Sequence, residues 1–180
     1  MLQKNRDKKR HNKFINFNMK QAQLKTIKDF KVRFALDATE ENVVTTIHLM
    51  NTHLIDKDTA LDQSSLGSSD FGIDGWFYDN KTNELFIYQS KLTDSKGLAL
   101  RGLSDLTTAL TYLEKIIVNK EVGKIPTNKS IYNLYIELSK NIENLKKISF
   151  ILITPLNPND LLDAPEVNEA ENIIRASELY

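Results

Sequence analysis

The chain has 180 residues, of which 41% are hydrophobic and 27% are charged, a composition typical of one soluble globular domain with its own core. It contains no cysteine, which excludes disulfides, a thiolate nucleophile and a cysteine-ligated zinc site. No apolar run approaches the roughly 20 residues that span a bilayer, and the first residues lack the apolar core of a secretory signal. We therefore expect a cytoplasmic protein with no membrane contact.

The formal net charge is zero, but basic and acidic residues are concentrated at opposite ends of the chain. Residues 1–33 contain eleven lysines and arginines against two acids, and residues 156–180 contain six acids against one arginine. Because lysine and arginine neutralise phosphates and release counterions, the basic arm indicates a nucleic-acid partner. A solvated leader without a partner accounts for the same charges equally well.

Composition and hydrophobic pattern divide the chain into three segments. Residues 1–16 lack any period and predict a basic flexible tail, whereas residues 17–155 predict an α/β domain. The acidic residues 156–180 predict the start of a further region of a longer protein. Within the domain, four apolar residues at helical spacing predict a first helix over residues 17–36: Leu24, Ile27, Phe30 and Phe34.

A second helix is predicted to begin at Asp37, because Asp37 and Glu40 resemble a capping box. One apolar stripe runs along this helix: Val43, Ile47, Met50 and Leu54. The polar, turn-rich residues 56–71 then predict a loop. His48 and His53 are poor candidates for a metal site, since residues five apart do not share a helical face. We expect both histidines at the surface or at a helix end.

Residues 72–79 and 84–91 are aromatic and aliphatic runs separated by four polar residues, which predicts a β-hairpin. Two amphipathic helices follow, marked by apolar stripes between residues 103 and 117 and between residues 131 and 145. Residues 148–154 then predict a buried strand. This order of elements predicts an α/β fold, with a central mixed β-sheet that contains an antiparallel hairpin and is flanked by helices.

Three polar side chains converge at one end of the predicted hairpin. A turn centred on the four polar residues pairs Asp79 with Glu84. It therefore also pairs Asp74 with Gln89, whose Cβ atoms would lie about 5 Å apart. Because side chains alternate between the faces of a strand, Gln89 and Lys91 share one face, and Asp74 joins them. Four apolar residues share this face and four lie on the other: Trp76, Tyr78, Leu85 and Ile87, against Ile73, Phe77, Phe86 and Tyr88.

A hard divalent cation, Mg²⁺ or Mn²⁺, would explain polar groups at the end of a buried hairpin, because it binds carboxylate and carbonyl oxygens. Asp74 would be the charged ligand, the Gln89 side-chain oxygen a neutral ligand, and the Ser90 backbone carbonyl a further ligand. Lys91 could orient or deprotonate the attacking water, or offset charge on the pentacoordinate phosphate. Taken singly, each residue has an ordinary structural explanation, since Asp-Gly is a common turn pair and polar residues suit the end of an edge strand.

Two segments carry a family resemblance: Asp70-Phe-Gly-Ile-Asp74-Gly and Tyr88-Gln-Ser-Lys91. They resemble the motifs of the PD-(D/E)XK nuclease superfamily, in particular the Mrr-like restriction endonuclease domain and the N-terminal domain of the abortive-infection AIPR family. By the order of elements, the resemblance extends over roughly residues 35–155. It implies a restriction-endonuclease-like core and a Mg²⁺-dependent endonuclease. Such an enzyme would hydrolyse phosphodiester bonds in nucleic acid, with DNA the expected substrate, in bacterial anti-phage or restriction defence.

The resemblance also implies roles for individual residues. Asp74 matches the metal-binding aspartate, Gln89 the variable acid or amide, and Lys91 the catalytic lysine. A glutamate of the first core helix often completes such a site, and Glu40 and Glu41 compete for that position. Glu41 fits slightly better by its distance from the apolar stripe, whereas Glu40 suits a helix cap.

Two departures from the family pattern keep a second hypothesis open. Gln89 replaces the usual acid, which removes a negative charge that would bind the metal, and Asp70 lies in a segment with fewer glycines than the family's motif. The alternative is a catalytically weak or inactive nucleic-acid-binding or assembly module of a larger defence protein. Nucleases of this superfamily often dimerise, so the expected protein partner is a second copy of this chain or the rest of a longer chain.

Overall fold

Five helices and four strands lie in the part of the chain that the computed structural model describes, residues 15–16, 21–34, 36–117, 126–156 and 161. The helices are α1 (Gln21–Arg33), α2 (Glu40–His53), α3 (Lys57–Asp62), α4 (Lys96–Ile117) and α5 (Lys129–Asn141). The strands are β1 (Ile15–Asn16), β2 (Gly75–Asp79), β3 (Glu84–Ser90) and β4 (Lys147–Thr154). None of these helices combines the length and apolar character needed to cross a membrane.

The strands form one mixed sheet in the order β1-β4-β3-β2, in which β2 and β3 form an antiparallel hairpin and β4 runs parallel to β3. β1 adds only two residues, parallel to the end of β4. The parallel pairing of β3 with β4 needs a long crossover, which α4 and α5 form. The predicted α/β class is therefore confirmed, with a mixed sheet that contains an antiparallel hairpin and is flanked by helices.

The longer elements lie where the sequence predicts them. α1 lies within residues 17–36, and β4 covers the predicted strand over residues 148–154. α4 begins at Lys96, before the apolar stripe that predicted it, and α5 ends at Asn141, before the end of its stripe. These differences concern the ends of helices, which apolar periodicity does not define.

The register of the hairpin is the predicted one, with Asp79 opposite Glu84. The connection closes because Asn83 adopts a left-handed backbone, with φ of 57°, and its N–H donates to the Asp79 carbonyl at 2.7 Å. β2 begins at Gly75 rather than at residue 72. The far end of the hairpin is therefore built from β3 and from the residues just before β2.

Two apolar clusters pack against opposite faces of the sheet. The cluster under α4 and α5 contains the four strand residues predicted for one side: Trp76, Tyr78, Leu85 and Ile87. The cluster under α1 and α2 contains three of the four predicted for the other side: Phe77, Phe86 and Tyr88. Ile73, expected with these three, packs instead in the α4 cluster, because it precedes β2 and the alternation of a strand does not extend to it.

Helix α2 begins two residues later than predicted, because its N-cap is Thr39 and not Asp37. The Thr39 hydroxyl accepts the Asn42 N–H at 3.2 Å, and the Asn42 side chain accepts the Thr39 N–H at 3.1 Å, which closes a capping box. The predicted apolar stripe is wrong at its end, since Leu54 is 88% exposed. Leu54 caps the helix in a left-handed conformation, with φ of 53°, so its side chain leaves the helical face.

The prediction of a loop over residues 56–71 is wrong in part, because this segment contains the six-residue helix α3. Asp56 caps the helix, and its carboxylate accepts N–H bonds from Asp58 and Thr59. Only Ala60 of this helix is buried. A helix this short has no room for the periodic apolar stripe by which helices are predicted.

The two ends of the chain differ from the predicted tail and acidic segment where they are described. The last two residues of the predicted tail 1–16 belong to the sheet as β1, so the tail is not unstructured throughout. Within the acidic segment 156–180, Leu161 is buried in the α4 cluster. The remainder of the tail and most of the acidic segment lie outside the described residues, and their separate character stays a prediction.

Candidate functional site

Asp74 lies at the point where β2 begins, and hydrogen bonds hold both its backbone and its side chain. Its N–H donates to the Tyr88 carbonyl at 2.9 Å, and its carbonyl accepts the Ser65 N–H at 2.8 Å. Its carboxylate accepts the backbone N–H of Ser90 at 2.7 Å. The two β3 residues that bond Asp74 flank Gln89, so Asp74 lies at the same end of β3. The paired register ends with Gly75 opposite Tyr88, so the predicted pairing of Asp74 with Gln89 is not part of the observed hairpin.

The surroundings of Asp74 disfavour the charged form of its carboxyl group. Only 6% of the residue is exposed, and burial raises the pKa of its carboxyl group to about 7. The Ser90 N–H bond and the Lys91 ammonium lower this pKa, whereas the charges of Asp70 and Glu41 raise it. Near neutral pH the protonated and charged forms of Asp74 therefore coexist, and a bound cation would favour the charged form.

Gln89 is 4% exposed, and its side-chain oxygen, Oε1, has no hydrogen-bond partner among the described residues. Leaving a buried acceptor unsatisfied costs about 1–3 kcal/mol, and such groups are rare in folded proteins. Gln89 and Lys91 share the α4 face as predicted, since the Cγ atoms of both lie against Gly102 of that helix. A buried, unpaired amide oxygen is suited to bind a hard cation, and the Asp74 carboxylate bonds the neighbouring residue, Ser90.

Lys91 directly follows β3, and its ammonium lies 3.0 Å from the carboxylate of Asp105 in α4. Burial lowers the pKa of Lys91, but the hydrogen bond and charge of Asp105, with the charges of Glu41 and Asp74, more than offset it. The pKa of Lys91 therefore lies above its ordinary value. Lys91 is a protonated cation at neutral pH, which suits binding of a phosphate oxygen better than removal of a proton from water.

Glu41, in the first turn of α2, reaches the same end of the sheet. Its carboxylate accepts the backbone N–H of Leu92 at 3.0 Å. Its negative charge also raises the pKa values of Asp74 and Lys91. Of the two glutamates that the sequence leaves open, Glu41 is therefore the one that contacts the segment after β3.

A buried polar network supports the site, and the sequence pattern did not predict it. The Thr45 hydroxyl of α2 lies 2.6 Å from the Ser90 hydroxyl, and the Asn42 side chain donates to the Ser65 carbonyl at 2.7 Å. Asn128, the N-cap of α5, donates to the Ser65 hydroxyl at 2.7 Å. The available signal was the pair of polar residues on the inner side of α2, since buried polar groups need partners.

Asp70, the weaker match to the family motif, lies in the turn that leads into Asp74. Its carboxylate accepts the Gly72 N–H at 3.0 Å, and its charge raises the pKa of Asp74. Ser69 and Phe71, on either side, have left-handed backbones with φ of 64° and 55°, which residues other than glycine seldom adopt. Such backbone conformations are unfavourable and concentrate at functional sites. The loop that positions Asp74 is therefore strained.

The two histidines of α2 pack on the opposite face of the sheet. His53 ends the helix as predicted, but its ring stacks on Phe77 with centroids 3.7 Å apart, and its Nε2 lies 2.6 Å from the Tyr88 hydroxyl. His48 lies within the helix and is half-buried, so for this residue the surface or helix-end position holds only in part. Burial, together with the charge of His53, lowers the pKa of His48 to about 4.

Within the described residues, no three or more histidine, cysteine, aspartate or glutamate side chains are grouped so as to hold a metal ion. Asp74 and Gln89 offer instead one carboxylate and one amide oxygen, which are oxygen ligands of the kinds that Mg²⁺ and Ca²⁺ accept in proteins. Ser90 gives its N–H to Asp74 and pairs its hydroxyl with Thr45. The assignment of its carbonyl as a ligand stays a prediction.

Comparison with known proteins identifies no relative, since no family model, no curated protein and no solved structure matches this chain. The resemblance to the PD-(D/E)XK superfamily accordingly stays a hypothesis carried by two short motifs. Its functional consequences depend on the residues at the end of the hairpin.

Proposed function

We propose that this chain is a metal-dependent nuclease domain that hydrolyses phosphodiester bonds in nucleic acid, with DNA as the substrate. The observation that carries the proposal is the buried, unpaired Oε1 of Gln89 next to Ser90, whose N–H bonds an Asp74 carboxylate with a pKa raised to about 7. Both features are unfavourable in the metal-free chain, and a bound divalent cation would relieve both. The two motifs support the further proposals of a restriction-endonuclease-like core and a role in bacterial anti-phage or restriction defence.

The residues present fit Mg²⁺ or Mn²⁺ through oxygen ligands. Asp74 and Gln89 would hold the ion by their side chains, and Ser90 by its backbone carbonyl. A bound ion of this kind polarises a phosphoryl oxygen and lowers the pKa of bound water. Glu41, anchored on the Leu92 N–H, adds negative charge at the same end of the sheet, which favours a cation there.

Lys91 would act on the phosphate rather than on the attacking water. Its ammonium is charged at neutral pH, and its side chain is 23% exposed, so a non-bridging phosphate oxygen can reach it. A fixed cation in this position stabilises the negative charge that develops as the phosphate is attacked. We therefore assign to Lys91 the stabilisation of charge on the phosphate, and not the activation of the attacking water.

Exposed basic residues support nucleic acid as the partner. α1 carries four residues of the basic arm, and three of them are exposed: Lys25, Lys28 and Arg33. Clustered cations of this kind bind phosphates with counterion release, so binding should weaken steeply as the salt concentration rises. This electrostatic contribution does not depend on the sequence of the nucleic acid.

One observation favours a second function, a nucleic-acid-binding or assembly module with weak or absent catalysis. Gln89 leaves the ligand set of the site with a single side-chain carboxylate, that of Asp74, and Lys91 is already paired with Asp105. A site with less negative charge binds a divalent cation more weakly. The module would then bind nucleic acid without cutting it.

The experiment that tests the proposal is cleavage of plasmid DNA, single-stranded DNA and RNA in Mg²⁺ or Mn²⁺. We expect Asp74→Asn and Lys91→Ala each to reduce cleavage by at least about a hundredfold, because each removes a charge that acts in the transition state. Asp58→Asn and Lys147→Ala change more exposed side chains of the same types and should cleave as the wild type does. Circular dichroism checks that every variant is folded.

The outcomes separate the two functions. Nucleic-acid binding by the wild type without cleavage of any substrate would favour the binding module. Cleavage that survives in both Asp74→Asn and Lys91→Ala would contradict the assignment of the site.

A further inference from the structure

Asp105 belongs to neither motif, but its carboxylate bonds the Lys91 ammonium at 3.0 Å. We propose that Asp105 is a positioning residue: its carboxylate holds Lys91 in place at the end of β3, and hydrolysis of the phosphodiester depends on Asp105 through Lys91. This inference rests on the proposed function, because it assigns to Asp105 a part in the same reaction.

Among the ion pairs in the described residues, this one has the least exposed lysine, although the Asp105 side chain itself is 41% exposed. The side chain of Lys91 is less exposed than that of Lys57, Lys129 or Lys147, the lysines of the other ion pairs described. Exposed pairs contribute little because solvent screens them and both side chains remain mobile. A pair with a mostly buried lysine is better suited to hold one geometry.

Helix α4 contacts the aliphatic part of the Lys91 side chain as well as its ammonium group. Gly102 lies one turn before Asp105, and a Cβ at Gly102 would come within 2.9 Å of Lys91 Cγ and 2.6 Å of Leu152 Cδ1. The helix backbone therefore lies directly against the Lys91 side chain. Residues three apart share one side of a helix, so the ammonium reaches Asp105 along the same side.

The backbone of Asp105 is fixed to the loop that precedes Asp74. Gly72 has φ of 78°, and a Cβ at Gly72 would overlap the Asp105 carbonyl oxygen, so glycine is required there. One residue earlier, Phe71 stacks on Tyr112 of α4 with ring centroids 4.2 Å apart. These contacts fix α4 against the loop, so Asp105 has a defined position relative to Asp74.

An ion pair at a site can position a residue, or it can act as a latch that withholds the residue from the substrate. Helix α4 holds the Lys91 side chain against Gly102 and Asp105, but 23% of that side chain stays exposed and open to a phosphate oxygen, whereas a latch would cover it. Positioning is therefore the role that we adopt. It predicts a loss of activity when Asp105 is neutralised, whereas a latch predicts a gain.

The test is a double-mutant cycle of wild type, Asp105→Asn, Lys91→Ala and the double variant, assayed for DNA cleavage in Mg²⁺. We expect Asp105→Asn to lower kcat at least about tenfold with KM nearly unchanged, because the positioned cation acts in the transition state. In the Lys91→Ala background, Asp105→Asn should not lower the residual single-turnover rate of cleavage any further. Asp105→Glu restores the charge and should recover part of the activity.

Two results would overturn the inference. One is a loss of equal size when Asp105 is neutralised in the presence and absence of Lys91, because Asp105 would then act independently. The other is increased cleavage by Asp105→Asn, which would indicate a latch. Asp62→Asn is the matched control, since it removes the carboxylate of the exposed pair with Lys129 and should leave kcat unchanged.

A second readout needs no activity and separates failure of this inference from failure of the proposed function. An amine-acylating reagent is applied to the folded chain, and modification of each lysine is measured by mass spectrometry. Asp105→Asn should increase labelling of Lys91 several-fold and leave Lys129 unchanged, while Asp62→Asn should do the reverse. Unchanged labelling of Lys91 in Asp105→Asn would overturn the inference. Increased labelling with no cleavage by the wild type would support the contact and contradict the proposed function alone.

Discussion

At the scale of single residues, the end of the hairpin combines two features that are unfavourable for the folded chain. Asp74 carries a charge that burial opposes, and Gln89 buries an oxygen without a described partner. A turn aspartate or an edge-strand glutamine would be solvated or fully hydrogen-bonded. Local features that reduce stability are typical of functional sites, which favours the functional interpretation of both residues.

Replacement of Asp74 by asparagine should stabilise the metal-free protein at alkaline pH. The carboxyl pKa is raised from 3.8 to about 7, so between these values the folded chain binds more protons than the unfolded chain. The free energy of unfolding therefore falls as pH rises through this range. We expect Asp74→Asn to raise the free energy of unfolding by about 1–3 kcal/mol at pH 8, and by much less at pH 4. Urea denaturation at both pH values measures the difference.

Asp79 provides the control for this prediction, because it ends the strand that Asp74 precedes and its pKa has the opposite shift. The bond from the Lys81 N–H lowers the pKa of Asp79, so its charged form is favoured in the folded chain. Asp79→Asn should therefore give no stabilisation at pH 8. A loss of stability in both variants at pH 8 would show that the Asp74 carboxylate is not disfavoured by its surroundings.

Some residues of the candidate site could be predicted from the sequence and others could not. The reason is physical. Gln89 lies in the hairpin and Asp74 and Lys91 directly adjoin it, so a short connection predicts that all three lie at the same end of it. Asp105 contacts Lys91 only because α4 packs on β3. The apolar stripe of α4 predicts which side of the helix is buried, but it does not predict which polar residue of the helix contacts a lysine. Contacts of this kind depend on the crossing of two elements.

At the scale of elements, α4 and the loop before β2 are in contact through their backbones at Gly72. Gly72→Ala adds a methyl group where the Asp105 carbonyl lies and places alanine at φ of 78°. We expect the free energy of unfolding to fall by at least about 2 kcal/mol, as measured by urea denaturation. Gly67→Ala is the control, because Gly67 also has positive φ but no atom lies within 4 Å of an added Cβ. Equal losses in the two variants would show that α4 does not lie against this loop.

Helix α2 brings Glu41 to the site, so the position of its cap affects the site directly. Thr39→Ala removes the hydroxyl that accepts the Asn42 N–H and should lower the free energy of unfolding by about 1 kcal/mol. Asp37→Ala should have almost no effect, because Asp37 lies two residues before the cap. A larger loss for Asp37→Ala in urea denaturation would mean that the helix begins where the sequence pattern indicates.

The elements that the sequence missed are the short ones. α3 depends on the local cap at Asp56 and buries only Ala60, and β1 consists of two residues beside the end of β4. Hydrophobic periodicity needs several residues before a period can be recognised, so neither element could be found in this way. The longer helices and strands each bury a repeated apolar side, and the sequence predicted them for that reason.

At the scale of the whole molecule, the sheet carries an apolar cluster on each face, so helices must cover both sides. The candidate site lies where β3 ends, and the Lys91 N–H after β3 donates to the Ile153 carbonyl of the parallel strand β4 at 2.9 Å. Ligands of α/β proteins generally bind outside the carboxyl ends of parallel strands. The architecture therefore places the polar residues of the hairpin at an end of the sheet suited to a ligand.

The claim that Asp74 and Gln89 hold a divalent cation is tested most directly by calorimetric titration of Mn²⁺ into the metal-free chain at pH 8. We predict a single site in the wild type and in Asp79→Asn, no binding in Asp74→Asn, and binding at least about tenfold weaker in Gln89→Leu. At pH 6 the wild-type affinity should fall about tenfold, because protons compete for a carboxylate whose pKa is about 7. Absence of Mn²⁺ binding by the wild type, or binding that neither Asp74→Asn nor Gln89→Leu weakens, would contradict the proposed site.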